Sequence, residues 1–156
     1  RPRSSSADAR GVPASPTQCH TEGMNTPLLV AATVFVGIAI LIHAYIFVME
    51  SLTWSAPATW RRFGVRSQED ADTIQPMALN QGFYNLFLAI GATAGLVLLW
   101  AGMTAAGAAL VFLGAGSMVA AALVLLVSSP RLARAAALQG AAPLAGVVLL
   151  AIALVA

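Results

Sequence analysis

Four apolar stretches, each long enough to cross a bilayer, follow one another after residue 24 and leave almost no room for any other architecture. Of 156 residues, 59% are hydrophobic and only 9% are charged. The apolar residues run on unbroken rather than alternating with polar ones, so the bilayer is the natural solvent of this fold. Four spans of about 20 residues and their connections use up nearly everything after Met24, which excludes a soluble catalytic domain. The expected fold class is all-α: a four-transmembrane-helix bundle with a short interfacial or helical loop between helices 1 and 2.

Two regions are expected: a disordered N-terminal extension over 1–23 and a four-helix integral membrane domain over 24–156. The first is rich in Ser, Pro, Ala and Arg and holds no apolar stretch that could offset the entropy of ordering. Met24 fits a natural start, and the apolar run after it is too long for the core of a cleaved signal peptide. Cys19 is the single cysteine, so neither an intrachain disulfide nor a thiolate metal cage can form, and its neighbour His20 is a weak hint of metal binding.

Thr26 followed by Pro27 predicts a helix start, a capping hydroxyl ahead of a first-turn proline, and the run from Leu28 to Met49 forms helix 1. Helix 2 is expected over about Met77–Trp100, a tight turn at Gly102 and Met103 makes an antiparallel hairpin with helix 3 over Thr104–Val127, and Ser128 to Arg131 break the chain. Ser129 and Pro130 repeat the capping signal before helix 4, from about Leu132 to Ala156.

The segment from Ser51 to Pro76 divides in two. Trp54, Trp60 and Phe63 among Arg61, Arg62 and Arg66 predict an interfacial stretch, because indoles favour the headgroup level and guanidinium groups reach phosphates. Ser67 and Asp70 then have capping-box spacing, with Asp for the usual Glu, and predict a short hydrated acidic helix before Pro76. All eight basic residues are Arg, and five lie in the loops 51–76 and 128–132 or directly after the latter, at Arg134. The positive-inside tendency makes those loops cytoplasmic and places the protein in the cytoplasmic (inner) membrane, although Arg1, Arg3 and Arg10 of the extension would then lie outside.

The polar residues within the spans carry the functional expectation. His43 and Glu50 share a face of helix 1 about 10 Å apart along its axis, too far to hold one metal ion unaided. Asn80 with Tyr84, and Gln81 with Asn85, form two stripes at helical spacing on helix 2. Residues 84 and 85 are expected near the depth of His43, with Gln139 of helix 4 about as deep. Together His43, Glu50, Asn80, Gln81, Tyr84, Asn85 and Gln139 predict a polar pocket in the cytoplasmic half that binds or passes a small solute or a proton. The alternative is a non-catalytic subunit or interaction protein in which these residues only fix helix register. No metal site and no cofactor is expected, and with no GxSxG, HExxH or paired-carboxylate pattern an enzyme is the lesser expectation. The expected partners are the lipid bilayer, a small-molecule ligand, and a second copy through glycine-rich faces at Gly91, Gly95, Gly107, Gly114 and Gly116; nucleic acid is not among them.

Two strings are sharper than composition. His43, Tyr45, Ile46 and Glu50 form H-x-Y-I-x-x-x-E, followed by Trp54, Phe63 and Gly64; Asn80 through Ala89 reads N-Q-G-x-Y-N-x-F-L-A. The pair resembles the domain of unknown function 1304 family of small bacterial membrane proteins, over about Leu29 to the C-terminus. That resemblance implies a four-helix membrane architecture and marks His43, Glu50, Asn80, Gln81, Tyr84 and Asn85 without giving them a role.

Overall fold

The structure is a computed structural model, and it describes residues 25–156. The expected extension, with Cys19 and His20, lies outside the described residues. Helix α1 (Thr26–Phe47) is capped by Asn25, whose side-chain oxygen accepts from the Leu28 N–H at 3.2 Å. The cap thus falls one residue before the expected Thr26, because an amide oxygen there reaches the free N–H of the first turn and leaves Pro27 inside it. At its far end α1 widens into a π-turn over Val48–Leu52.

A short helix α2 (Pro57–Trp60) and a 3-10 turn (Arg61–Phe63) lead through Gly64, whose φ of 81° needs a residue without Cβ, to α3 (Gln68–Trp100). Ser67 caps α3 as its spacing predicts, accepting from the Asp70 N–H at 3.0 Å. The acidic helix, however, is not a separate element. It runs on through Pro76 into the span, giving one helix of 33 residues and about 50 Å. Pro76 removes one backbone bond, but Ala71 and Ala78 on either side of it are buried in the same small cluster, and that packing holds the axis together.

The α3 helix ends in a left-handed Gly102 (φ 82°), with Gly102 N–H donating to the Leu99 carbonyl and Met103 N–H to that of Leu98. This is the tight turn expected there, and α4 (Thr104–Ser128) returns antiparallel. After Ser128 a 3-10 turn (Pro130–Leu132) opens α5 (Ala133–Val155); the Ser129 side chain makes no capping bond. Each of the four long helices is apolar and long enough to cross a membrane.

The four pack in a ring, α1 beside α3, α3 beside α4, α4 beside α5 and α5 beside α1. The interior is built of small residues, so backbones approach closely. A Cβ added at Gly95 would stand 2.7 Å from the Val111 nitrogen, and one at Gly107 2.5 Å from the Leu99 nitrogen. Gly95 and Gly107 therefore seal α3 against α4, and Gly114 does the same at Ala92, whereas Gly91 and Gly116 have nothing within 4 Å. On α1 the buried positions Leu29, Ala32, Val36, Ala39, His43 and Glu50 recur at heptad spacing, so the two ionisable residues take core positions in an otherwise aliphatic stripe.

At the end where α1 stops and α3 starts, a second, smaller cluster forms around Trp54, Trp60, Ala71 and Ala78, with Phe63, Val65 and Ile74 against it. Trp54 and Trp60 are only 5% and 3% exposed. Their N–H groups are satisfied internally, Trp54 by the Ala71 carbonyl at 2.9 Å and Trp60 by Gln68 Oε1 at 3.3 Å. Both indoles are turned inward within the chain, since the part of α3 that projects beyond the bundle gives them an apolar wall. Arg61, Arg62 and Arg66 remain on the outside. Arg61 lies over the Trp60 ring, and Arg62 donates to the Tyr45 hydroxyl at 2.9 Å.

Candidate functional site

The two polar strings meet at the seam between α1 and α3. Glu50 is the middle residue of the π-turn and is 8% exposed. Asn85 Nδ2 donates to its Oε2 at 3.0 Å and, from the same amide, to the Gln81 carbonyl at 3.1 Å, which holds the side chain toward α1. Next to Glu50, the Ser51 hydroxyl donates across the seam to the Leu79 carbonyl at 3.1 Å. Gly82 makes this approach possible: a Cβ there would overlap Ser51 Oγ and stand 3.1 Å from Glu50 Cβ. A π-turn is a costly local choice that recurs at functional positions. Here it spreads the end of α1 so that Glu50 and Ser51 both face α3.

His43 lies deeper and is 2% exposed. Its Nδ1 is 2.9 Å from the Ala39 carbonyl oxygen, and since a carbonyl can only accept, Nδ1 carries the proton. In the neutral ring Nε2 is therefore the bare nitrogen, and it makes no hydrogen bond to a described residue. Every fully buried side-chain nitrogen and oxygen among the described residues has a partner.

The seven expected residues do not form one cluster. The contacts of Glu50 with Asn85 at one end and of Thr33 with Trp100, 3.1 Å, at the other fix the register of α1 against α3. In that register Asn85 is level with Glu50, while His43 is level with the stretch around Ile90 to Ala92, one heptad deeper. The expected shared depth of His43 with Tyr84 and Asn85 is corrected accordingly, because the bond to Asn85 comes from the end of α1 and not from His43. On α5, Gly146 packs on Val36 and Ala32. The same rise along each antiparallel helix brings partly buried Gln139 to about the depth of His43. Asn80, Gln81 and Tyr84 are exposed, Tyr84 by 55%, and their side chains face away from the bundle. Among the described residues no three His, Cys, Asp or Glu side chains converge.

What sequence spacing missed is the pairing of Gly82 with Ser51. A glycine inside a polar string is the signal that could have pointed to it, as a place where another backbone comes close.

Fold and seam together define the class: an all-α bundle of four helices apolar enough to span a membrane, with one buried carboxylate bonded across its first helix pair. The profile of the family described as "Protein of unknown function (DUF1304)" matches residues 37–151, and the chain belongs to that family. No curated protein and no solved structure matches it.

Proposed function

We propose that this is an integral protein of the inner membrane of a bacterium that binds a proton at Glu50, coupled to the binding or passage of a small solute at the same end of the bundle. The observation that supports it is the setting of Glu50: a carboxylate on a membrane helix, held in a π-turn, almost fully buried, with a neutral amide as its side-chain partner. Among the described residues no cationic side chain contacts Glu50, so burying the ionised carboxylate carries a cost that taking up a proton removes. His43, whose Nε2 makes no hydrogen bond to a described residue, is the next ionisable group along the same face, one heptad deeper. The arginine-bearing loops are proposed to be cytoplasmic, since Arg61, Arg62, Arg66, Arg131 and Arg134 gather at this end and the Ala101–Met103 turn carries no basic side chain.

The test is difference infrared spectroscopy of the protein in lipid across a pH series. A carboxylic-acid C=O band that titrates in the wild-type protein and disappears in Glu50→Gln supports proton binding. The same titrating bands in both proteins reject it. Reconstituted vesicles with an entrapped pH indicator then separate passage from binding, flux lost in Glu50→Gln being the signature of passage.

A second reading is favoured by the outward Asn80, Gln81 and Tyr84: a non-catalytic membrane subunit whose seam is structural and whose exposed α3 face meets another protein. It predicts that Glu50→Gln changes stability and no protonation signal, and that Tyr84→Ala releases a co-purifying partner.

A further inference from the structure

The connection after α1 and the turn between α4 and α5 come together at one end of the bundle, where Gly64 packs toward Leu132, and between them lies an open cavity of about 360 Å³. Its wall is mixed. Phe63 and Leu132 supply apolar surface, Ser128 and Ser129 supply hydroxyl groups, and Arg131 is the charged residue of the lining. We propose that this cavity is a binding site for the phosphate headgroup of an anionic phospholipid, with Arg131 on the phosphate, the serine hydroxyls on its oxygens or on the glycerol, and the first carbons of the acyl chains against Phe63 and Leu132.

Chemistry and depth both point to this occupant. A guanidinium beside hydroxyl donors matches phosphate oxygens. The apolar part of the wall has no use for a freely dissolved anion but suits the amphiphilic boundary of a lipid. The α4 helix has 25 residues and rises about 37 Å, somewhat more than a hydrocarbon core of about 30 Å, so its terminal Ser128 falls at the headgroup level. The surroundings are cationic as well: Arg61, Arg62, Arg66 and Arg134 lie on the same two connections or directly after them, and two of them are already engaged, Arg62 with Tyr45 and Arg61 with Trp60. Arg131 is exposed. This site is separate from the Glu50 seam and does not depend on what that seam does.

The experiment is thermal unfolding of the purified protein in a neutral detergent, titrated with phosphatidylglycerol, phosphatidylcholine or glycerol 3-phosphate. Phosphatidylglycerol is expected to raise the midpoint more than phosphatidylcholine, and glycerol 3-phosphate to leave it unchanged. Arg131→Gln weakens the apparent affinity for phosphatidylglycerol about tenfold or more. Arg61→Gln, which loses the same charge outside the cavity, keeps the wild-type response. Ser128→Trp, which fills the cavity without changing charge, loses the response and guards against Arg131→Gln merely failing to fold. An unchanged response in Arg131→Gln overturns the proposal, and so does an equal loss in Arg61→Gln, which would mean diffuse charge attraction. An equal rise with phosphatidylcholine removes the anionic preference, and an equal rise with glycerol 3-phosphate makes the site one for a dissolved anion; either overturns the assignment to an anionic lipid.

Discussion

Asn85 Nδ2 and Glu50 Oε2 stand 3.0 Å apart across the seam of α1 and α3, so the two sharpest strings in the chain are joined by a single hydrogen bond. The bond exists because the π-turn and Gly82 bring the helices close at that level. If it carries stability, the double-mutant cycle of Glu50→Gln and Asn85→Leu, followed by denaturation in detergent, returns a coupling of about 0.6 to 2 kcal/mol. Additive single changes would show that the contact contributes nothing.

Gly82→Ala is expected to destabilise by about 1 to 3 kcal/mol, since the new methyl overlaps Ser51 Oγ and crowds the Ser51 nitrogen at 3.2 Å. Gly91→Ala, two and a half turns further on with nothing within 4 Å, is the control, and there the gain in helix propensity makes the change neutral or slightly stabilising. Melting temperatures of the two variants in the same detergent decide the matter; equal values would mean that the close approach at Gly82 is not needed.

Gly107→Ala is expected to be at least as damaging, because its methyl would meet backbone, the Leu99 nitrogen at 2.5 Å and the Gly95 oxygen at 2.8 Å, and backbone cannot swing aside. Engineered cysteines on facing positions of α3 and α4 would crosslink more slowly in this variant. Unaltered crosslinking and melting would contradict the packing described for the hairpin.

Trp54→Phe keeps the ring but removes the N–H that donates to the Ala71 carbonyl, at a cost of about 1 kcal/mol. The loss is local to the small cluster at this end. Amide exchange should speed up in the first turns of α3 around Ala71 while the spans stay protected. Uniform acceleration along the whole chain would show instead that this cluster unfolds together with the bundle.

Much of the fold was legible along the chain. Hydropathy, helix length and the turn at Gly102 are local properties, and they yielded four spans, the hairpin of α3 and α4, and the Ser67 cap. Local rules failed where distant residues supplied the stronger interaction. Pro76 reads as a helix boundary, yet Ala71 and Ala78 pack around it and the helix continues. Nothing local to Trp54 and Trp60 shows that they pack inward, yet the projecting start of α3 buries them. For the site, the heptad relation of His43 and Glu50 was visible, as was the stacking of Gln81 with Asn85, but the seven expected residues were not one group.

The sequence by itself determined the number of spans, the end at which the arginines gather and the polar residues that enter the apolar helices, because each depends only on what lies within a few residues along the chain. The tertiary structure decided which of those residues meet. Facing depends on the rotation of each helix about its axis and on the axial register of its neighbour, and here both are set by contacts far apart in sequence: Gly82 against Ser51, Thr33 with Trp100, and Gly95 with Gly107. That is why Asn85 reaches Glu50, His43 stands one heptad deeper, and Asn80, Gln81 and Tyr84 look outward.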